Sequence, residues 1–413
     1  MKRRRPVVTG VVAGVAAATL TACGGSAAGA DPQALDLWLP PQADITDASD
    51  WDPILAGFEQ QHGVDVNVRI IPWDSYEAAF LTGVSGGEGP DVGLMYTDMM
   101  GDYLVHGAIV PFGDHLDAAG PPDYLYLERG VVDGEQVAIP FVVGGVRVLY
   151  YNADLLAAAG VDEPPATWDE FLAACERLRA AGTTPLVQPW GHHRGMLNEN
   201  FFPFLWQAGG SLFTEDGSAT AFHSPEGVAA ATYLLRLQET GAMPASVTSL
   251  IADDAESAFL RGESAFLFSS DAKYATFDRE DFDLGFVASL EGERRGTFVA
   301  TDSLVVLDEC ADKQLCTDLA VYITSPPQME QFHELAQYPP LSTDEEYVAP
   351  PEFRSVYAQD DLMHNLPIVA GSPAVYNSLL TNLQQMLLGQ KTPEQALADA
   401  AADGDRALRL AQR

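Results

Sequence analysis

A chain of 413 residues, 47% hydrophobic and 20% charged, is long enough for two cores and too apolar to be disordered. Its formal net charge of −37 repels phosphate backbones and anionic lipid, which excludes nucleic acid and acidic membrane surfaces as partners. The excess Asp and Glu read as a solvated surface.

Lys2, Arg3, Arg4 and Arg5 make a basic head, followed by a short apolar run from Val7 to Leu20. Leu20-Thr21-Ala22-Cys23 resembles a lipobox, the site at which a bacterial lipoprotein is cut and its cysteine acylated. Residues 1–22 are therefore expected to be a lipoprotein signal peptide, Cys23 the lipidated residue, and residues 23–34 a flexible tether. Val7 to Leu20 is too short, and too rich in Ala, Gly and Thr, to serve as a span. No later stretch is long and apolar enough to cross a membrane. Export would place the remaining cysteines in an oxidising space, where Cys310 and Cys316, on either side of a polar turn, are expected to bond. Cys175 shares a helix face with Phe171, Leu172 and Leu178 and reads as a buried thiol. No cysteine spacing suggests zinc.

The first strand is expected over Leu35–Leu39. A helix follows with the apolar stripe Ile54, Leu55 and Phe58, stopped by Gly63. Val64 to Ile71 alternates as a half-buried strand, a helix runs from about Asp74 to Val84, and Pro90-Asp91-Val92 opens a strand ending near Met95. Strands alternating with helices predict a parallel α/β sheet, in which ligands sit beyond the carboxyl ends of the strands. That rule selects Trp38, Trp73 and Asp74, and Tyr96 and Asp98.

From Gly134 to Gly182 the chain is densely marked. Val137 to Ile139 reads as a strand closed by Pro140, and Val146 to Tyr151 as a second, bounded by Gly144-Gly145. Asn152 is placed to cap a short helix that Gly160 stops, and Thr167 with Glu170 forms a capping box for the next.

These marks carry a resemblance. Tyr151-Asn152, then Pro165-Ala166-Thr167-Trp168-Asp169-Glu170-Phe171, resemble in order two motifs of the extracellular solute-binding proteins, family 1. Those proteins are the sugar-capturing subunits of ABC importers. Pro90-Asp91-Val92, Gly107 to Pro111, Ala208 to Phe213, Phe259 to Phe266 and Thr392 to Leu397 are similar to further motifs of the family, so the likeness covers nearly all of the mature chain. It implies a periplasmic-binding-protein-like type II fold, two α/β lobes joined by a hinge with the ligand cleft between them. The implied division is residues 35–150 and 297–340 for the first lobe, and 151–296 and 341–413 for the second.

The function implied is that of a lipid-anchored receptor which captures a sugar or oligosaccharide and passes it to the membrane-spanning permease of an ABC importer. A monomer is expected, with no cofactor, no metal, no catalysis, and no membrane contact beyond the lipid. A sugar has apolar C–H faces and a polar rim, so its site needs flat aromatics and fixed hydrogen-bonding groups. Comparison with maltose-binding-like members selects Asp98, Trp190 within Gln188-Pro189-Trp190, and Tyr376. A tryptophan position of the family corresponds here to Ala272, within Ser269 to Tyr274, a departure for which Tyr274 is the candidate substitute, with Asp271 beside it as a further binding candidate. Arg147 and Arg194 are cations able to clamp a carboxylate or sugar hydroxyls. Trp206, among Phe201, Phe202 and Phe204, reads as core.

Two rivals are weighed. Tyr150-Tyr151 is similar to the paired tyrosines of ferric-ion binders, with His192-His193 as further ligands, but neighbours on a strand point to opposite faces. A secreted carbohydrate-active enzyme would need two carboxylates flanking a cleft, and the acid pairs Asp253-Asp254 and Glu215-Asp216 sit in turns and helix starts.

Overall fold

A computed structural model describes residues 34–412 apart from 43–44, 192–193, 279–281 and 360, and without the side chain of Asp74. The expected signal peptide, Cys23 and most of the tether lie outside the described residues, as do His192 and His193.

Leu35–Leu39 alternates its side chains between two faces. Leu37 and Leu39 meet one apolar cluster, with Trp51, Ile54 and Phe58, while Trp38 meets a second, with Tyr76 and Phe80. A strand covered on both sides belongs inside a sheet. It pairs in parallel with Val66–Ile70 on one side and Val92–Tyr96 on the other. Ala300–Val306 and then Ile139–Gly144 complete five strands, both joining antiparallel. The sheet is therefore mixed, where alternation of strands and helices had predicted a parallel one.

Pro140 lies inside Ile139–Gly144, although the sequence predicts that it closes a strand. This strand is at the sheet edge, where one side needs no donor, and the register to Ala300–Val306 shifts between Asp302 and Ser303. An edge and an irregular register are the two settings that tolerate a proline.

A second sheet runs in the order Leu284–Val287, Arg147–Asn152, Ser264–Ser270 and Thr184–Leu186. The strand that a boundary at Tyr150 would divide lies whole in this sheet, so the chain changes sheets at Gly145-Val146. Gly145 turns there with φ 65°, and a Cβ would stand 3.1 Å from the Arg147 guanidinium, so the position suits glycine. Asn152 caps the next helix by accepting from Leu155 N–H. Thr167 and Glu170 form the capping box of Trp168–Ala180, a device whose loss costs about 1 kcal/mol. That helix buries Phe171, Leu172, Cys175 and Leu178 against Phe266 and Phe268 of the sheet. Burial of this kind is worth about 2 kcal/mol per large apolar side chain. The last two helices, Ser372–Leu387 and Pro393–Ala411, pack against each other and into the same core. Cys310 and Cys316 are bonded, and Cys175 is a free thiol whose titration burial pushes up. No described helix is long and apolar enough to cross a membrane.

Candidate functional site

Between the two sheets lies a cleft of about 890 Å³. Helix Trp73–Gly86 supplies one wall. Trp73, Glu77 and Leu81 recur every fourth residue, so they share a stripe that faces the cleft. Tyr76 and Phe80 on the other stripe are fully buried in the first lobe. Trp73 remains 44% exposed, an unusual state for its ring, and its indole N–H donates to Pro41 O at 3.1 Å. Tyr96 follows, its ring 6.2 Å from that of Trp73 and its hydroxyl on Glu77.

Thr301 and Asp302 reach the same cleft from the strand Ala300–Val306. The second lobe contributes Arg147 from its own sheet, Arg194 from a short turn at Arg194–Met196, and Tyr376 and Phe202, whose rings meet edge-on at 5.2 Å. Phe298 lies under the Arg147 guanidinium at 5.2 Å.

The charges are arranged in a definite way. Arg147 Nε donates to Glu199 Oε1 at 2.6 Å within the second lobe. Arg194 crosses between the lobes. Its Nη1 donates to Glu77 Oε2 at 3.1 Å, its Nη2 to Glu77 Oε1, and its Nε to Asp98 Oδ2 at 3.3 Å. Burial works against the charge of Arg194, but Glu77 and Asp98 outweigh it and hold the guanidinium above its ordinary range. Burial raises Asp98, with Arg194 opposing it, and raises Glu199, with Arg147 opposing it. Asp302 is pushed up to about 7, chiefly by burial and then by Asp98, with Arg147 pulling the other way. Helix Thr97–Val105 adds a second bridge between the lobes: Asp102 Oδ1 accepts from Gly371 N–H at 2.6 Å, and Ser372 Oγ donates to Asp98 O at 3.3 Å. Gly101 permits this approach, since a Cβ there would stand 2.5 Å from the backbone of Val369 and Ala370.

Of the residues selected from the sequence, the structure brings together Trp73, Tyr96, Asp98, Arg147, Arg194 and Tyr376 on the cleft. Apart from Asp74, whose side chain is not among those described, the others lie elsewhere, each for a visible reason. Trp38 is buried, edge-on to Phe80 at 5.3 Å and covered by Arg69. Trp190 is 1% exposed and belongs to the core of the second lobe, its N–H donating to Val247 O. Gln188 ties its loop to Phe268, donating to the carbonyl and accepting from the N–H. Asp271 accepts from the Tyr357 hydroxyl at 2.6 Å, and burial pushes it up to about 6. Tyr274 packs edge-on to Phe353 at 5.4 Å. Tyr150 is fully buried, its hydroxyl on Ser270 O, and it points to the opposite face of the strand from Tyr151. A regular strand thus keeps that tyrosine pair from gripping one ion. Trp206 is core, stacked on His364 at 4.8 Å.

Glu77 and Asp302 escaped the sequence reading. Glu77 was findable, because it stands one helical turn after Trp73. The signal for Asp302 is an acid inside the apolar run that ends Leu304-Val305-Val306.

The model of a family described as bacterial extracellular solute-binding protein matches residues 54–356. The chain belongs to that family. Membership places it outside the cytoplasm and among binding proteins of transport. A binding protein of Brucella abortus is 22% identical over 370 residues, which are 87% of this chain and 90% of that one. The diacetylchitobiose-binding protein DasA of Streptomyces coelicolor is 29% identical over 232 residues, 52% of this chain and 51% of its own. Among solved structures, an ABC transporter solute-binding protein from Thermotoga lettingae, bound with α-D-tagatose, superposes with a TM-score of 0.76. It is 22% identical and covers 91% of this chain and all of that one, which supports the two-lobe solute-binding fold.

Proposed function

We propose that this solute-binding protein is the receptor of an ABC importer for a sugar or oligosaccharide. The cargo is held between the lobes, delivered intact to the permease, and not chemically changed. The observation that carries this is the cleft wall itself: Trp73 and Tyr96 bring aromatic rings to it from one lobe, the buried rings of Phe202 and Phe298 back it on the other side, and Asp98, Thr301 and Asp302 give it a polar rim for hydroxyls. DasA and the tagatose-bound protein, by their names, bind carbohydrate, and this supports the reading.

Two lobes that both touch one ligand close on it by the difference in affinity between open and closed forms. A receptor that must release its cargo needs micromolar binding, about −8 kcal/mol, and two or three stacked rings at roughly 1 kcal/mol each supply part of it. Residues 1–22 would be the lipoprotein signal peptide, with Cys23 the lipid anchor and the protein a monomer at the outer face of the cell membrane.

A thermal-shift screen of monosaccharides, oligosaccharides, polyols and amino sugars tests the reading. A cargo at 100 times its Kd raises stability by about 2.7 kcal/mol. If no carbohydrate raises the melting temperature, or if any is turned over, the reading fails.

A further inference from the structure

The cleft contains polar groups that its own side chains leave without partners. Asp302 is 9% exposed and lines the cleft, yet no hydrogen bond or ion pair reaches its carboxylate among the described residues. Tyr376 is 1% exposed, lines the same cleft, and its hydroxyl has no partner among the described residues. Asp98 is paired with Arg194 through one oxygen, Oδ2, at 3.3 Å, and its own backbone N–H also reaches its carboxylate. Both cleft guanidiniums already have carboxylate partners, Arg147 in Glu199 and Arg194 in Glu77 and Asp98. The site therefore has spare acceptors and spare negative charge, while its positive charges are engaged.

Three kinds of ligand group can be compared on these terms. An anion would face Asp98 and Asp302 with both cleft guanidiniums among the described residues already engaged, which costs affinity. A hydroxyl would satisfy an acceptor but leave the charge. A protonated amine does both, since it brings a positive charge and up to three N–H donors. The aromatic rings of Trp73 and Tyr96 on the cleft also favour a cation. On the larger scale, the net charge of −37 raises the concentration of cationic solutes at the surface.

We propose that the cargo is an amino sugar or an oligosaccharide bearing a free amine, with its ammonium seated against Asp302 and Asp98 and the Tyr376 hydroxyl as a further acceptor. This rests on the carbohydrate-receptor reading above and narrows it. The charged and titratable groups that act on Asp302 are Asp98 from helix Thr97–Val105, Arg147 from the second sheet, and the hydroxyls of Tyr76 and Tyr338. An ammonium in their midst favours the ionised carboxylate, so binding of the amine strengthens as pH rises until the amine itself loses its proton.

Isothermal titration near neutral pH tests the proposal with matched pairs: glucosamine against glucose, galactosamine against galactose, and the glucosamine disaccharide against cellobiose. The amine-bearing member of at least one pair is expected to bind about tenfold tighter or better. Asp302→Asn should shrink that ratio to within about twofold, and circular dichroism of the variant should show it folded. Tyr376→Phe provides a second, milder probe and should weaken the amine by more than it weakens the hydroxyl counterpart. Hydroxyl members that bind as tightly as the amines, or a ratio that survives Asp302→Asn, would overturn the proposal and leave the carbohydrate reading standing. Failure of every compound in both columns would remove the carbohydrate reading, and this one with it.

Discussion

Arg194 Nε lies 3.3 Å from Asp98 Oδ2, and the two residues belong to different lobes. The same guanidinium grips Glu77. A cation from one wall thus holds two acids from the other, in the space a cargo would occupy. The side chains of Arg194 and Asp98 are 13% and 12% exposed, so water screens their attraction only weakly.

Arg194→Gln should loosen the empty protein. Without the guanidinium, Glu77 and Asp98 are left as two neighbouring acids on one half-dry wall, and truncation of one partner in such a pair costs about 2–4 kcal/mol. X-ray scattering should show a larger radius of gyration for the variant than for the parent. Superimposable scattering curves and equal melting temperatures would show that the bridge does not hold the lobes.

Stability should fall as pH rises from about 4 to 7. An aspartate raised to about 7 by burial keeps its proton in the folded chain, while the unfolded chain has already lost its own near the ordinary value of 3.8. Across that window the folded state binds more protons, so ∂ΔG/∂pH is negative, and the loss levels off above about 7. Asp98 and Glu199 shift in the same direction, and Asp271 contributes up to about 6. Asp302→Asn should therefore be more stable than the parent at pH 8 by about 2–4 kcal/mol and show a flatter slope. Urea melts at pH 5 and pH 8 measure both quantities.

Two tryptophans should behave in opposite ways. Trp190→Ala removes a ring that is 1% exposed in the core, and truncations of this kind cost about 3–5 kcal/mol. Its effect on affinity should follow only from unfolding. Trp73→Ala touches a ring that is 44% exposed on the cleft. It should leave the melting temperature of the empty protein within a degree or two, about 0.5 kcal/mol, and weaken carbohydrate binding about tenfold. An unchanged Kd would remove Trp73 from the site.

Reduction of the Cys310–Cys316 bond should have a modest effect. The two cysteines are six positions apart, and so short a loop takes little entropy from the unfolded chain, about 2 kcal/mol. A denaturant midpoint measured with and without reductant gives the figure directly.

Much of the fold is legible in local chemistry. Leu35–Leu39, the Thr167–Glu170 box and the Asn152 cap all depend on residues close in sequence, and the structure has each where the sequence puts it. Pro140 was misread because a proline's tolerance depends on whether a neighbour needs its missing N–H, and only the sheet order settles that. The site shows the same division. Tyr96 and Asp98 follow from the rule about strand ends. Trp190 and Asp271 look like cleft residues by position in a motif, but whether a ring or a carboxylate faces solvent or core is decided by packing from distant segments, here Val247 and Tyr357. Asp302 is invisible for the converse reason: its surroundings come first from burial by distant segments and then from Asp98, which lies about two hundred positions earlier, and no local partner announces either.

The change of sheet at Gly145-Val146 has a mechanical consequence. Arg147 stands immediately after that joint, and Thr297, just before the strand that returns to the first sheet, donates its hydroxyl to the Arg147 carbonyl. A pivot displaces least what is nearest its axis. Under the proposed closure, Arg147, Phe298 and Asp302 would therefore keep their spacing in both forms, so that a cargo would meet a floor already assembled and have only the outer walls left to recruit.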